Sequence, residues 1–328
     1  MIIEIPVSQG VACFYSAFIN AAKCFNSAID EEYVFLKSEG MRMTTNINDI
    51  SSLQDISISH RLNEIVSSFL DSYGIENHYI DFNDYMNLQT FIYEEIGKGN
   101  PVILKVSSRS LKHDTTYHTN KDRSHTLVIN GIDSEQKNLS FIDYFIPTFP
   151  AKSYAGEMSF NDLKNAAFTQ DSPYRVFIFD YMGIKQNDWT YTADALRDDL
   201  EKNIEIFIAC KSNMHLVIDV LKNILEKFTT KDINENLKEL AFNIAYSGII
   251  PCRAILKNLC EKHNWKDCYN ELDGIIKEWY SVSLLLVKYS FLPSEVKFIK
   301  IAERIEILAN REENIMKLML EESKSLKI

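Results

Sequence analysis

Residues 11–25 are apolar almost all round, which predicts a helix buried on most of its sides. Leu62, Ile65, Phe69 and Tyr73 recur at one-turn spacing, so 60–74 reads as an amphipathic helix. The stretch 84–97 has the same period, and Gly74 and Gly99 with Asn100 supply the stop signals. Short β-rich runs follow at 101–106, 126–132, 139–145 and 174–181, each bounded by polar residues, Gly or Pro. They predict one antiparallel sheet packed with helices, an α+β arrangement over residues 1–183.

Beyond Gly183 the strand pattern stops. Residues 184–328 read as a separate all-α domain of consecutive helices near 192–209, 214–228, 232–247, 252–263, 267–290 and 294–323. Val217, Leu221, Ile224 and Phe228 mark one buried face, and Gly248 with Pro251 is expected to end the third of these helices. In the last helix Phe298, Ile301, Ile305, Leu308, Ile315 and Met319 form a seam interrupted by Glu312. Such a seam suits packing within the domain, or alternatively a short helical dimer contact, and packing is the preferred reading.

Composition narrows the class. With 328 residues, 46% apolar and 25% charged, the chain has the balance of a globular protein. A net charge of -11 without a basic stripe argues against nucleic acid as a partner and favours cationic small molecules. No apolar run reaches the length of a membrane span and residues 1–6 lack a secretory pattern, so no membrane partner and a cytoplasmic location are expected. The six cysteines, at 13, 24, 210, 252, 260 and 268, are irregularly spaced and read as thiols.

Candidate chemistry begins where the buried helix begins. Cys13 follows Ser8, Gln9 and Gly10, so its sulfur is placed in a first helical turn, beside unpaired N–H groups and the positive end of the helix dipole. That position favours the thiolate. His125 opens an apolar strand, and Asp143 stands near the end of the next, with turn-forming Asp133, Ser134 and Asn138 between them. A hairpin centred on residue 134 would set the two opposite each other, and a centre on residue 135 would leave them diagonal on one face. A half-step centre would separate them. Taken singly, Cys13 is equally a small core residue, His125 a strand histidine bonded to a carbonyl, and Asp143 a turn carboxylate. Taken together they compose a Cys-His-Asp triad for nucleophilic catalysis. The Cys13 backbone N–H and the Gln9 side chain are candidate oxyanion donors, with Gln9 equally readable as an exposed turn residue. Cys24 lies about 16 Å further along the helix and is expected in the core.

The polar segment 107–124 holds His113, Tyr117, His118, Lys121 and Arg123 and is expected to form a rim or lid over the site. Its histidines lack metal-ligand spacing, as does the Cys252, Cys260, His263, Cys268 cluster, so no metal is expected. No phosphate-binding or dinucleotide motif occurs, and no cofactor of the protein's own is expected.

A helix-opening Cys13, a strand His125 about 110 residues later and Asp143 a further 18 on resemble papain-like cysteine peptidases, particularly those trimming double-glycine leader peptides. With a helical C-terminal half attached, the chain is more similar to the butirosin-type acyltransferases of that fold. Within them, the segments 9–16 and 124–143 look like the amide-forming members of closthioamide-type assembly. Ala12 stands where several members carry a histidine before the cysteine. The resemblance implies transfer of an acyl group, an aryl-oligo-β-alanyl chain, from the phosphopantetheine thioester of an acyl or peptidyl carrier protein. The acceptor it implies is a small diamine such as 1,3-diaminopropane, in nonribosomal peptide (antibiotic) biosynthesis. Two other readings stand beside it: a cytoplasmic cysteine peptidase or amidase using water as acceptor, and a catalytically silent binding module.

Overall fold

In this computed structural model, residues 1–45, 58–60, 62–119, 121–133, 135, 137–167 and 174–326 are described. The elements are, in chain order, α1 (Cys13–Lys23), α2 (Glu31–Lys37), β1 (Met43–Thr45), β2 (Ile58–His60), α3 (Leu62–Ser72), β3 (Asn77–Phe82), α4 (Tyr85–Lys98), β4 (Val102–Ser107), α5 (Thr116–Thr119), β5 (Ser124–Asp133), β6 (Asn138–Ile146), β7 (Lys152–Ser159), α6 (Phe160–Ala167), β8 (Tyr174–Phe179) and α7 (Tyr181–Gln186). Helices follow from there: α8 (Ala193–Lys222), α9 (Ile224–Lys227), α10 (Thr230–Phe242), α11 (Ile249–Lys262), α12 (Lys266–Phe291) and α13 (Glu295–Ser323). The fold is α+β with a helical C-terminal region.

The chain divides into two compact units, each drawn from two stretches. One comprises Met1–Glu31 and Val66–Thr190, and the other Glu32–Ile65 and Tyr191–Ile328. The second unit therefore takes up residues 32–65 as well as the helical C-terminal stretch.

In the first unit a six-stranded sheet runs in the order β3-β8-β4-β5-β6-β7, with every neighbouring pair antiparallel. β4 is buried on both faces, which accounts for its nearly continuous apolar run. On one face Leu104, Leu127 and Ile129 meet Leu88, Ile92 and Ile96 of α4. On the other lies α1, where Phe14 packs edge-on to Phe177 at 5.0 Å and Phe18 to Phe179 at 5.3 Å. Asp84 caps α4 by accepting from the Asn87 N–H, and Gly99 ends the helix with φ 86°, a left-handed turn that suits glycine. Cys24, expected in the core, is only half-buried: it is the C-terminal cap of α1, just past the buried stretch that ends at Ala22.

In the second unit the stretches expected as two helices at 192–209 and 214–228 run as one through α8 as far as Lys222, and the short α9 follows. Gly248 precedes α11, and Pro251 lies in its first turn, where a missing N–H costs no helical bond; it opens the next helix and does not merely close the last. Glu312, the interruption in the α13 seam, is buried and accepts hydrogen bonds from Arg253 of α11 and Trp279 of α12. The seam is thus satisfied within the unit.

Candidate active site

Cys13 is the first residue of α1. The N-cap residue of this helix, Ala12, offers no side-chain acceptor. Instead Ser16, one turn inside, accepts from the N–H groups of Val11 and Ala12 through its Oγ, at 3.0 and 3.4 Å. The segment before the helix is fastened to the strand that carries Asp143. The Gly10 N–H donates to the Tyr144 carbonyl at 2.8 Å, and the Tyr144 hydroxyl donates to the Pro6 carbonyl at 3.0 Å. A Cβ at residue 10 would lie 2.9 Å from the Tyr144 oxygen and overlap the Ser16 side chain, so this close approach requires glycine. The Cys13 N–H donates to no atom of the described residues.

The hairpin brings in the other two groups by an irregular route. Asp133 pairs with Asn138 and Gly131 with Ser140, a register that, continued regularly, would put His125 and Asp143 on opposite faces. A bulge between Ile129 and Gly131 takes up one residue of β5, after which Ile129 pairs with Phe141 and Val128 with Ile142. His125 and Asp143 then lie diagonal on one face. Asn130 at the bulge is held from outside the hairpin: its carbonyl accepts from the Ile3 N–H at 2.7 Å and its side chain donates to the Ile3 carbonyl at 3.0 Å.

His125 Nε2 is 2.9 Å from Asp143 Oδ1, which leaves the other ring nitrogen to act on the Cys13 thiol. The Thr126 side chain also favours the thiolate. Asp143 is wholly buried and is the acceptor for several donors. His113 Nε2 stands 2.9 Å from its Oδ2, the Tyr117 hydroxyl donates to the same oxygen at 2.5 Å, and the Phe145 N–H donates to Oδ1 at 3.0 Å. The Tyr117 oxygen also lies 3.0 Å from His125 Nε2. His113 stacks on Tyr154 with ring centroids 4.7 Å apart.

These contacts set the charges. Burial opposes ionisation of Asp143, but the His125 imidazolium and the donors around its oxygens hold it well below the usual carboxylate range. Burial likewise opposes a charged His125, yet Asp143 and Cys13 raise it to about 10. For Cys13 burial is the largest influence and acts upward, but the charge and hydrogen bond of His125 prevail, with help from Thr126, and the thiol falls below its ordinary value. Burial and Asp143 push the Tyr117 phenol upward, so it remains a donor.

Cys13, His125 and Asp143 are therefore brought together, whereas Gln9 is exposed and makes no hydrogen bond within the described residues. His113 and Tyr117, expected on a rim or lid, are buried against Asp143. The signal available in sequence was their separation by four residues just before His125, which marks one face of a turn without saying where that face points. Among the described residues no cluster of His, Cys, Asp and Glu has the makings of a metal site, and no helix is long and apolar enough to cross a membrane.

No family model matches the chain, and no curated protein matches it.

Cys13 should alkylate ahead of Cys24, whose thiol burial pushes up to about 11. The Cys13 rate is expected to rise with pH along a limb centred below that of a free thiol, because the reactive form is the thiolate. Peptide-mapped iodoacetamide labelling between about pH 5 and 9 measures both. Equal labelling of the two thiols throughout would remove the case for a thiolate–imidazolium pair.

Proposed function

We propose that the protein is a papain-like cysteine acyltransferase of the butirosin type that forms amide bonds. The observation that carries this reading is the chain of contacts from the Cys13 sulfur through His125 to Asp143 at the head of a buried helix. The acyl donor is a carrier-protein thioester. The Cys13 thiolate attacks its carbonyl, and His125 gives its proton to the departing phosphopantetheine thiolate as the carbon–sulfur bond to the carrier breaks. The tetrahedral oxyanion is met by the unoccupied Cys13 N–H at the positive end of α1. The acyl-enzyme is then a thioester of Cys13 with a neutral His125 beside it. An amine attacks that thioester, His125 accepts the amine's proton, and the Cys13 thiolate leaves as the amide forms. The substrates proposed are those of closthioamide-type nonribosomal assembly: an aryl-oligo-β-alanyl chain and 1,3-diaminopropane.

Mixing the protein with an acylated carrier protein should add the mass of the acyl group to Cys13, and adding diamine should discharge it as the amide. Cys13→Ala is expected to form no adduct. Discharge to the free acid at the same rate with and without amine would instead identify a hydrolase. A Cys13→Ala variant with undiminished turnover would end the proposal.

A further inference from the structure

We propose that Lys105 is a positioning residue for Cys13: its ammonium is a second cation that, beside the His125 imidazolium, keeps the nucleophile ionised. This rests on Cys13 being a thiolate nucleophile, whether the acceptor is an amine or water. Strand register supplies the geometry. Asp81 pairs with Arg175, Arg175 with Lys105, and Lys105 with Thr126, so these four side chains form one row across β3, β8, β4 and β5. The row ends at Thr126 and lies on the face that carries α1, where Phe14, the residue after Cys13, packs against Phe177 and Tyr79.

Within that row the charges are unevenly matched. Arg175 engages Asp81 through two hydrogen bonds, from Nε at 2.6 Å and Nη2 at 2.7 Å, and so takes up both carboxylate oxygens. Lys105 is half-buried, with its Nζ 4.3 Å from the Tyr79 ring centroid, and among the described residues it has no carboxylate at ion-pair distance. The triad in its reactive form holds a thiolate, an imidazolium and a carboxylate, which leaves one negative charge in a buried site. Lys105 is the cation that balances it. In keeping with this, burial and Arg175 lower the basicity of Lys105 while Cys13 and Asp81 act the other way. The groups that act on Cys13 are His125 and Thr126 on β5 and Asp143 on β6, with Tyr79 on β3 and Tyr117 on α5 also sensing its charge, while those that act on Lys105 are Arg175 on β8, Asp81 on β3 and Cys13. Burial keeps both tyrosines neutral.

The test is the pH profile of Cys13 alkylation by iodoacetamide in the full-length chain. Lys105→Met should move the rising limb to higher pH, slowing labelling about fivefold on the acid side while leaving the alkaline plateau in place. Lys105→Arg should restore the limb. Asp81→Asn should move it the opposite way, because Arg175 then stands as a further uncompensated cation. Damage to packing would not give shifts of opposite sign. An unmoved limb in Lys105→Met, or shifts of one sign in Lys105→Met and Asp81→Asn, overturns the assignment. Alkylation needs neither carrier protein nor amine, so failure of the acyl-transfer experiment and failure here are read separately.

Discussion

His125→Ala is expected to slow acylation of Cys13 by about three to four orders of magnitude, close to the effect of removing the nucleophile. In the proposed transfer one buried ring supplies both the charge that keeps the sulfur ionised and the proton the leaving thiolate needs. Asp143→Asn should be milder but still severe, because an amide meets the site with the wrong hydrogens. Oδ1 accepts from His125 and from the Phe145 N–H, which fixes the amide oxygen there. The amide nitrogen must then face His113 and the Tyr117 hydroxyl, both of which donate to Oδ2 in the native protein. His113 is thereby forced to present its acceptor nitrogen or move away, and Tyr117 loses its acceptor. Single-turnover acylation by a thioester, followed by intact mass, measures both variants. The order expected is native, then Asp143→Asn, then His125→Ala, and an Asp143→Asn rate equal to the native one would make Asp143 a bystander.

Cys13, His125 and Asp143 are legible because each carries a local signature: a cysteine opening an apolar helix, and two polar residues at the ends of apolar strands. Their alignment is not. The hairpin closes on a half-step centre, with Asp133 opposite Asn138, which on a regular ladder separates His125 from Asp143. The bulge at Asn130 repairs the register, and it is stabilised by Ile3, a residue far away in sequence whose pairing leaves no periodic trace. β7 leaves no clear strand pattern in the sequence for a related reason. It is an edge strand with an irregular, largely exposed pattern, so burial imposes no alternation on it. His113 and Tyr117 were visible only as polar residues in a loop, because a side chain buried against a carboxylate has no period to betray it.

Glu312→Ala is expected to cost about 3–5 kcal/mol of stability in the helical unit. Glu312 accepts from Trp279 Nε1 at 2.6 Å and Arg253 Nε at 2.9 Å through one oxygen, and from Arg253 Nη2 at 2.5 Å through the other. All three side chains are almost fully buried. Truncation removes the carboxylate that neutralises a guanidinium enclosed by α11, α12 and α13, opens a cavity and strands the indole N–H. The size of the loss does not measure how much the ion pair stabilises the fold, since desolvating both charges offsets most of their attraction. Replacing both partners, Arg253→Met with Glu312→Met, should therefore recover most of what Glu312→Ala loses. Urea unfolding followed by far-UV circular dichroism distinguishes these cases. A double variant as unstable as the single one would mean that the pair itself, and not the penalty of deleting its carboxylate alone, holds the three helices together.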